Sequence, residues 1–156
     1  MSNPKGVENF KKVVLICSIV LFISSLTQSF IAINGSKEGP GIAALIFGWL
    51  GIVILNPPAL CWLANPILFV AWVYFKKGKS SLSLVLSLGA TILSASFLLS
   101  NSIIIDEGGG SRPITAYEAG YWLWLSAMAI MMLGNIFIYI FKKPIPGTDP
   151  KVISQS

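Results

Sequence analysis

Few side chains in this chain could carry chemistry. There is no histidine, there are six carboxylates, and the two cysteines are Cys17 and Cys61. Asp106 and Glu107 stand side by side in DEGGGSRP (106–113), with Arg112 in the same stretch. Two carboxylates fall short of the six to eight oxygens that calcium takes. A mobile glycine turn is the expected role of this stretch. Glu118 directly precedes the apolar block that starts at Ala119, and intramembrane carboxylates are functional suspects. Yet Thr115-x-x-Glu118 has the form of a capping box that opens a helix near Ala116. Glu118 would then cap that helix or pair with Arg112. Tyr121, Trp122 and Trp124 follow as an aromatic belt at an outer membrane interface. Asn56, Asn65 and Asn101 lie in or beside apolar runs. Asn56-Pro57 reads as an N-cap followed by a proline at the first helical position. Asn65-Pro66 reads as a kink inside a span. There Pro66 frees the carbonyl of Trp62, and Asn65 serves a partner helix or a substrate path.

These residues exclude more than they assign. No C-x-x-C pair exists, so a conventional zinc site and redox chemistry are both unsupported. The missing cysteine pairs argue against four-helix proteins of the disulfide-generating type. The first apolar run has no carboxylate, which argues against small multidrug exporters. No Ser/His/Asp set, phosphate-binding glycine loop or paired carboxylates on one helix is present, so neither enzyme activity nor a cofactor is expected. Both cysteines read as small apolar packing residues.

The elements that must position these groups are apolar helices. The 156 residues are 54% hydrophobic and 11% charged, against about 25% charged in a soluble domain. Charge is absent from Val13–Asn34, Gly39–Phe75, Ser80–Ile105 and Ala119–Phe141. Each block exceeds the roughly 18 apolar residues that mark a membrane span. The net charge of +5 resides in short lysine groups beside these blocks. That pattern fits topology better than nucleic-acid binding, which needs a clustered soluble patch. Lys5, Lys11 and Lys12 precede a run of about 20 apolar residues, too long for the core of a cleaved signal, so a retained first helix is expected.

Lysine placement predicts orientation. Lys5, Lys11, Lys12, Lys76, Lys77, Lys79, Lys142, Lys143 and Lys151 fall in the two tails and the middle loop. Only Lys37 and Arg112 fall in the alternate loops. The positive-inside rule then puts both termini and the middle loop in the cytoplasm, of a bacterial inner membrane by our reading. Gly41–Phe75 must therefore cross once. As a single straight helix it would run about 52 Å, against a hydrocarbon core of about 30 Å. A break at the prolines is expected: an embedded outer-leaflet helix over about 41–55, then a span over 57–75. The other spans are predicted at about 13–33, 81–105 and 116–141. Residues 1–141 would form one membrane domain and 142–156 a flexible cytoplasmic tail.

Small residues recur every seven positions: Ser18, Ser25 and Ala32; Ser80, Ser87, Ser94 and Asn101, joined by Ser83 and Ala90; Gly120, Ala127 and Gly134. Such stripes let backbones approach where no hydrophobic effect drives association. The expected architecture is an all-α four-helix transmembrane bundle. The expected role is an accessory, assembly or interaction subunit acting through helix packing. Its partners would be the bilayer and another membrane protein or a second copy. The alternative is a small transporter or channel for a neutral or lipid-like substrate, working as a homodimer.

Overall fold

The computed structural model describes residues 4–53, 57–104 and 110–142. Asn56, Asp106, Glu107 and the predicted tail from 143 onward lie outside the described residues. Four helices are long and apolar enough to cross a membrane: Lys5–Thr27, Pro58–Lys76, Ser80–Leu99 and Ala119–Phe141. This is the pattern of a multi-pass membrane protein. The first helix, α1, runs Pro4–Thr27. After it come strands β1 (Ile31–Ile33) and β2 (Ser36–Lys37), then short helices α2 (Gly41–Phe47) and α3 (Leu50–Val53). The second long segment begins as a 3-10 helix, Pro57–Leu63, and continues as α4, Ala64–Lys76. Helix α5 spans Ser80–Ser96 and ends in a 3-10 turn, Phe97–Leu99. Strands β3 (Ser102–Ile104) and β4 (Ser111–Tyr117) lead into α6, Ala119–Lys142.

Each long helix buries the face its sequence marks. Val14, Ser18, Phe22 and Ser25 are buried on α1, and Ala64, Leu68, Ala71 and Phe75 on α4. The buried residues of α5 are Ser80, Ser83, Ser87, Ala90 and Ser94, the predicted small stripe without Asn101. Asn101 is exposed and follows the helix, and Ala32, though buried, belongs to β1. Opposite faces carry exposed Val, Ile, Leu and Phe, such as Val13, Val20, Val85 and Leu133. That is the inverse of a soluble helix, whose outer face is polar. At Gly134 an added Cβ would meet the side chain of Val14. At Gly120 it would lie 2.6 Å from the Ser29 carbonyl oxygen. Both glycines allow α6 to close on α1.

A four-stranded antiparallel sheet, ordered β2-β1-β4-β3, caps one end and corrects the all-α expectation. Its first hairpin turns at Asn34 and Gly35, with φ of 51° and 78°. Two consecutive positive φ values suit the tight hairpin turn for which Asn-Gly is the preferred pair. The capping box is also corrected. Residues 111–117 are strand and the helix starts at Ala119. Thr115 is the extra residue of a bulge opposite Ala32 and Ile33. Its hydroxyl donates to the Ala32 carbonyl at 3.1 Å and accepts the Gly35 N–H at 3.2 Å. The bulge aligns β4 for its turn into α6.

Strand pairing fixes which ends of the helices lie together. β1 follows α1 and pairs with β4, which precedes α6; β3 follows α5 and pairs with β4. The end of α1, the end of α5 and the start of α6 therefore share the sheet end. Helix α2 starts there too, since the Gly41 N–H donates to the Gln28 carbonyl at 2.8 Å. At the far end Phe10 stacks on Phe137 at 4.6 Å, and the turn Lys76–Lys79 joins α4 to α5. Gly78 closes α4 with φ of 76°. The Gly78 and Lys79 N–H groups donate to the Phe75 and Tyr74 carbonyls, both at 3.0 Å. That is the Schellman arrangement, which needs a left-handed residue after the helix. The chain from Gly41 to Phe75 thus traverses the molecule once, broken into α2, α3 and the 3-10/α4 helix.

Candidate functional site

Two polar relays run between the long helices. In the first, the Trp72 indole N–H donates to the Ser18 hydroxyl at 2.9 Å, and Ser18 donates to the Ala127 carbonyl at 2.7 Å. It joins α4, α1 and α6. In the second, the Asn135 amide nitrogen donates to Ser83 Oγ at 3.0 Å, and Ser83 donates to the Ala71 carbonyl at 2.9 Å. It joins α6, α5 and α4. The same nitrogen reaches Ser87 Oγ at 3.3 Å and the Met131 carbonyl at 2.9 Å. Ser18, Ser83, Ser87 and Asn135 are all fully buried. Asn135 Oδ1 is the one buried side-chain oxygen or nitrogen among the described residues without a partner. Hydrogen bonds between membrane helices average about 0.6 kcal/mol each, reaching about 1.7. Their chief effect here is to fix which faces meet.

A third arrangement lies nearer the sheet. Trp124 on α6 donates its indole N–H to Asn65 Oδ1 at 2.7 Å. An indole nitrogen only donates, so this bond fixes the carboxamide with its oxygen toward Trp124 and its NH2 turned away. Asn65 is 5% exposed and lines a cavity of about 520 Å³. The walls come from the α1 end, β1, α2, α3, the 3-10 segment and α6, through residues such as Phe30, Leu45, Ala59 and Trp62. Trp62 seats α2 by donating to the Leu45 carbonyl at 2.9 Å. Leu45 lies in the last turn of α2, where carbonyls lack partners within the helix. At Gly48 an added Cβ would lie 2.6 Å from Trp62 Cδ1, so the small residue is what lets the indole reach that carbonyl.

The structure distributes the predicted residues unevenly. Asn65 is buried and engaged across helices, as the partner-helix expectation requires. Pro66 does not kink a continuous helix. It lies in the first turn of α4, where the missing N–H is one of the unpaired donors in any case, and the 3-10 segment precedes it. Glu118 pairs with Lys37, at 2.9 Å, and not with Arg112. Arg112 is on β4 in register with Ile103. Asn101 is exposed, and its carbonyl accepts the Ile114 N–H at 3.0 Å. The belt reading fails for two of its three aromatics: Tyr121 and Trp124 are buried, and Trp122 alone is exposed. Tyr121 donates to the Ser94 carbonyl at 3.1 Å. On the sheet side the Tyr117 hydroxyl donates to the Ser100 carbonyl at 2.9 Å, with the Phe97 carbonyl at 3.1 Å. Burial, with a smaller contribution from Cys61, raises the Tyr117 pKa above its usual value and keeps that donor protonated. Cys61 is buried and 3.4 Å from Ser96 Oγ, whereas Cys17 is exposed on α1.

Sequence reasoning missed Asn135, Trp124 as a donor, and the cavity. A signal existed for the first. Asn135 follows Ala127 and Met131 at four-residue steps, on the face that carries the small-residue stripe. No group of three or more metal-ligating side chains occurs among the described residues. No family model, curated protein or solved structure matches this chain.

Proposed function

We propose that the chain is a four-helix transmembrane bundle that acts through packing, as an accessory, assembly or interaction subunit of a membrane system. One observation carries this reading: fully buried Ser18, Ser83 and Asn135 bond helix to helix. A polar path would need such groups to face a lumen. Among the described residues no charged one is buried. Transport sites in membranes gather discontinuous helices whose freed backbone groups face substrate. Here Leu68, Met128 and Met131 are fully buried among the long helices. Co-purification of a stoichiometric partner after mild detergent extraction is the expected result. A chain that purifies alone and supports solute flux in proteoliposomes would replace this reading with the transporter.

The transporter for a neutral or lipid-like substrate stays as a second reading, because the cavity at Asn65 is of ligand size. Flux that falls with Asn65→Ala would favour it, while Glu118→Gln should leave flux unchanged, since Glu118 pairs at the sheet rather than inside.

We read both termini and the Lys76–Lys79 turn as cytoplasmic, with α2 and α3 embedded in the outer leaflet of a bacterial inner membrane. Support comes from the lysines: Lys5, Lys11, Lys12, Lys76, Lys77 and Lys79 lie toward the end away from the sheet, and Lys37 and Arg112 at the sheet. Single cysteines at Ser36, Gly78, Gly110 and Ser154, in a background lacking Cys17 and Cys61, test it. An impermeant thiol reagent on intact cells should label positions 36 and 110 only. Labelling at 78 would reverse the topology.

A further inference from the structure

We infer that the cavity beneath α2 and the sheet is a binding site for a neutral acyl ester, taken from the bilayer as the chain and ester carbonyl of a membrane lipid. The inference rests on the membrane reading of the four helices and is independent of the partner role.

Four observations converge. The volume of about 520 Å³ falls within the range of small-molecule sites, roughly 300–1,000 Å³, and the lining is mostly apolar, as such sites are. The cavity also contains a single oriented amide donor. Asn65 Oδ1 is held by Trp124, so its NH2 group turns away from that indole; that nitrogen makes no bond among the described residues and is not one of the fully buried side-chain atoms, which leaves it accessible from the cavity that Asn65 lines. An amide nitrogen can only donate, so the ligand must bring an acceptor, which an ester carbonyl supplies.

Charge excludes the free acid. Among the described residues Glu38 is the only charged one on the cavity wall, and it is exposed. A carboxylate entering here would meet a like charge and no cation, and would lose its hydration besides. An ester avoids both penalties. Lastly, the wall formed by α2 and α3 is apolar on its outer side as well. Ile42, Ile46, Trp49 and Val53 are exposed and do not line the cavity. In a membrane those side chains contact lipid tails, so an acyl chain reaches the cavity without crossing water. Trp62 and Gly48 hold α2 and its wall in place.

The test uses the full chain in nanodiscs and a monoacylglycerol carrying a photoactivatable diazirine in its chain. The matching free fatty acid probe and the matching plain alkane probe are run in parallel. Peptide mass spectrometry should place the ester cross-links on Leu45, Ala59 and Trp62, and unlabelled ester should compete them away. The fatty acid should label these positions weakly. Asn65→Ala removes one hydrogen bond of about 1 kcal/mol, so ester affinity should fall about five-fold while alkane labelling is unchanged. Ala44→Phe fills the cavity from an exposed position on α2 and should abolish labelling by every probe at these sites. Should Asn65→Ala fail to fold, Ala44→Phe decides alone. Cross-links spread evenly over lipid-facing Val20 and Leu133, labelling insensitive to Ala44→Phe, or equal labelling by the fatty acid would each overturn the assignment.

Discussion

The relay half of the molecule and the sheet half treat buried polar groups in opposite ways. Around Ser18, Ser83 and Asn135 the hydroxyls donate into a neighbouring helix and all three residues are fully buried. Around Asn65 one bond to Trp124 is made, and the remainder of the amide borders a cavity. Backbone explains the difference. In the relay half α1, α4, α5 and α6 are continuous, so small stripes bring faces together along their length. In the sheet half the second segment is broken into α2, α3 and a 3-10 turn. Short pieces cannot present the unbroken ridge that closes a helix–helix groove. A closed half suits packing; a half with an open cavity suits a ligand.

Substitutions can break or sharpen this contrast. The largest effect is expected where the halves are joined. Gly120→Ala puts a Cβ against the Ser29 and Gln28 carbonyl oxygens, at 2.6 and 2.8 Å, so backbone must move. Overpacking of this kind costs about 1–3 kcal/mol, measurable as a lower unfolding midpoint in detergent. The sharper comparison pairs Asn65→Leu with Asn135→Leu. The first leaves the Trp124 N–H buried without its acceptor, at about 1–3 kcal/mol. The second orphans no donor, because Ser83 still donates to Ala71 and Ser87 to Leu84, and it also removes the unpaired Oδ1. Asn135→Leu should therefore cost under about 1 kcal/mol, near the average for an interhelical bond. The reverse ranking would show that the relays, and not the sheet half, set stability. The smallest effect is expected from Glu118→Gln. The Lys37 side chain is 68% exposed, so losing that ion pair should cost under about 1 kcal/mol and vanish at high salt. A larger loss would mean that the sheet depends on this pair for its closure onto α6.

Much of the relay half was legible. Ser80, Ser83, Ser87, Ala90 and Ser94 repeat at helical spacing, and all are buried. Serine is small enough for close approach, so its pattern alone marks the contact face. The break in the second segment was legible from Pro57, since proline fixes where a helix can start. The sheet was written in Asn34-Gly35, between the short strands IAI and SK, but those strands are three and two residues long. Without β4 beside it, such a hairpin has no independent stability. Thr115 and Glu118 misled for a related reason. Their spacing satisfies a capping box, and the local signal was overruled by strand pairing with residues more than eighty positions earlier.

Four apolar blocks, the lysine groups between them and the positions of the prolines follow from the chain itself, because hydropathy, charge and backbone restriction are properties of short segments. Which indole meets which amide, whether Glu118 finds Lys37 or Arg112, and whether a gap remains beneath α2 depend on how segments remote in the chain are brought together. Tertiary packing alone decided those, since a side chain's partner and the volume left between helices exist only once the faces have closed.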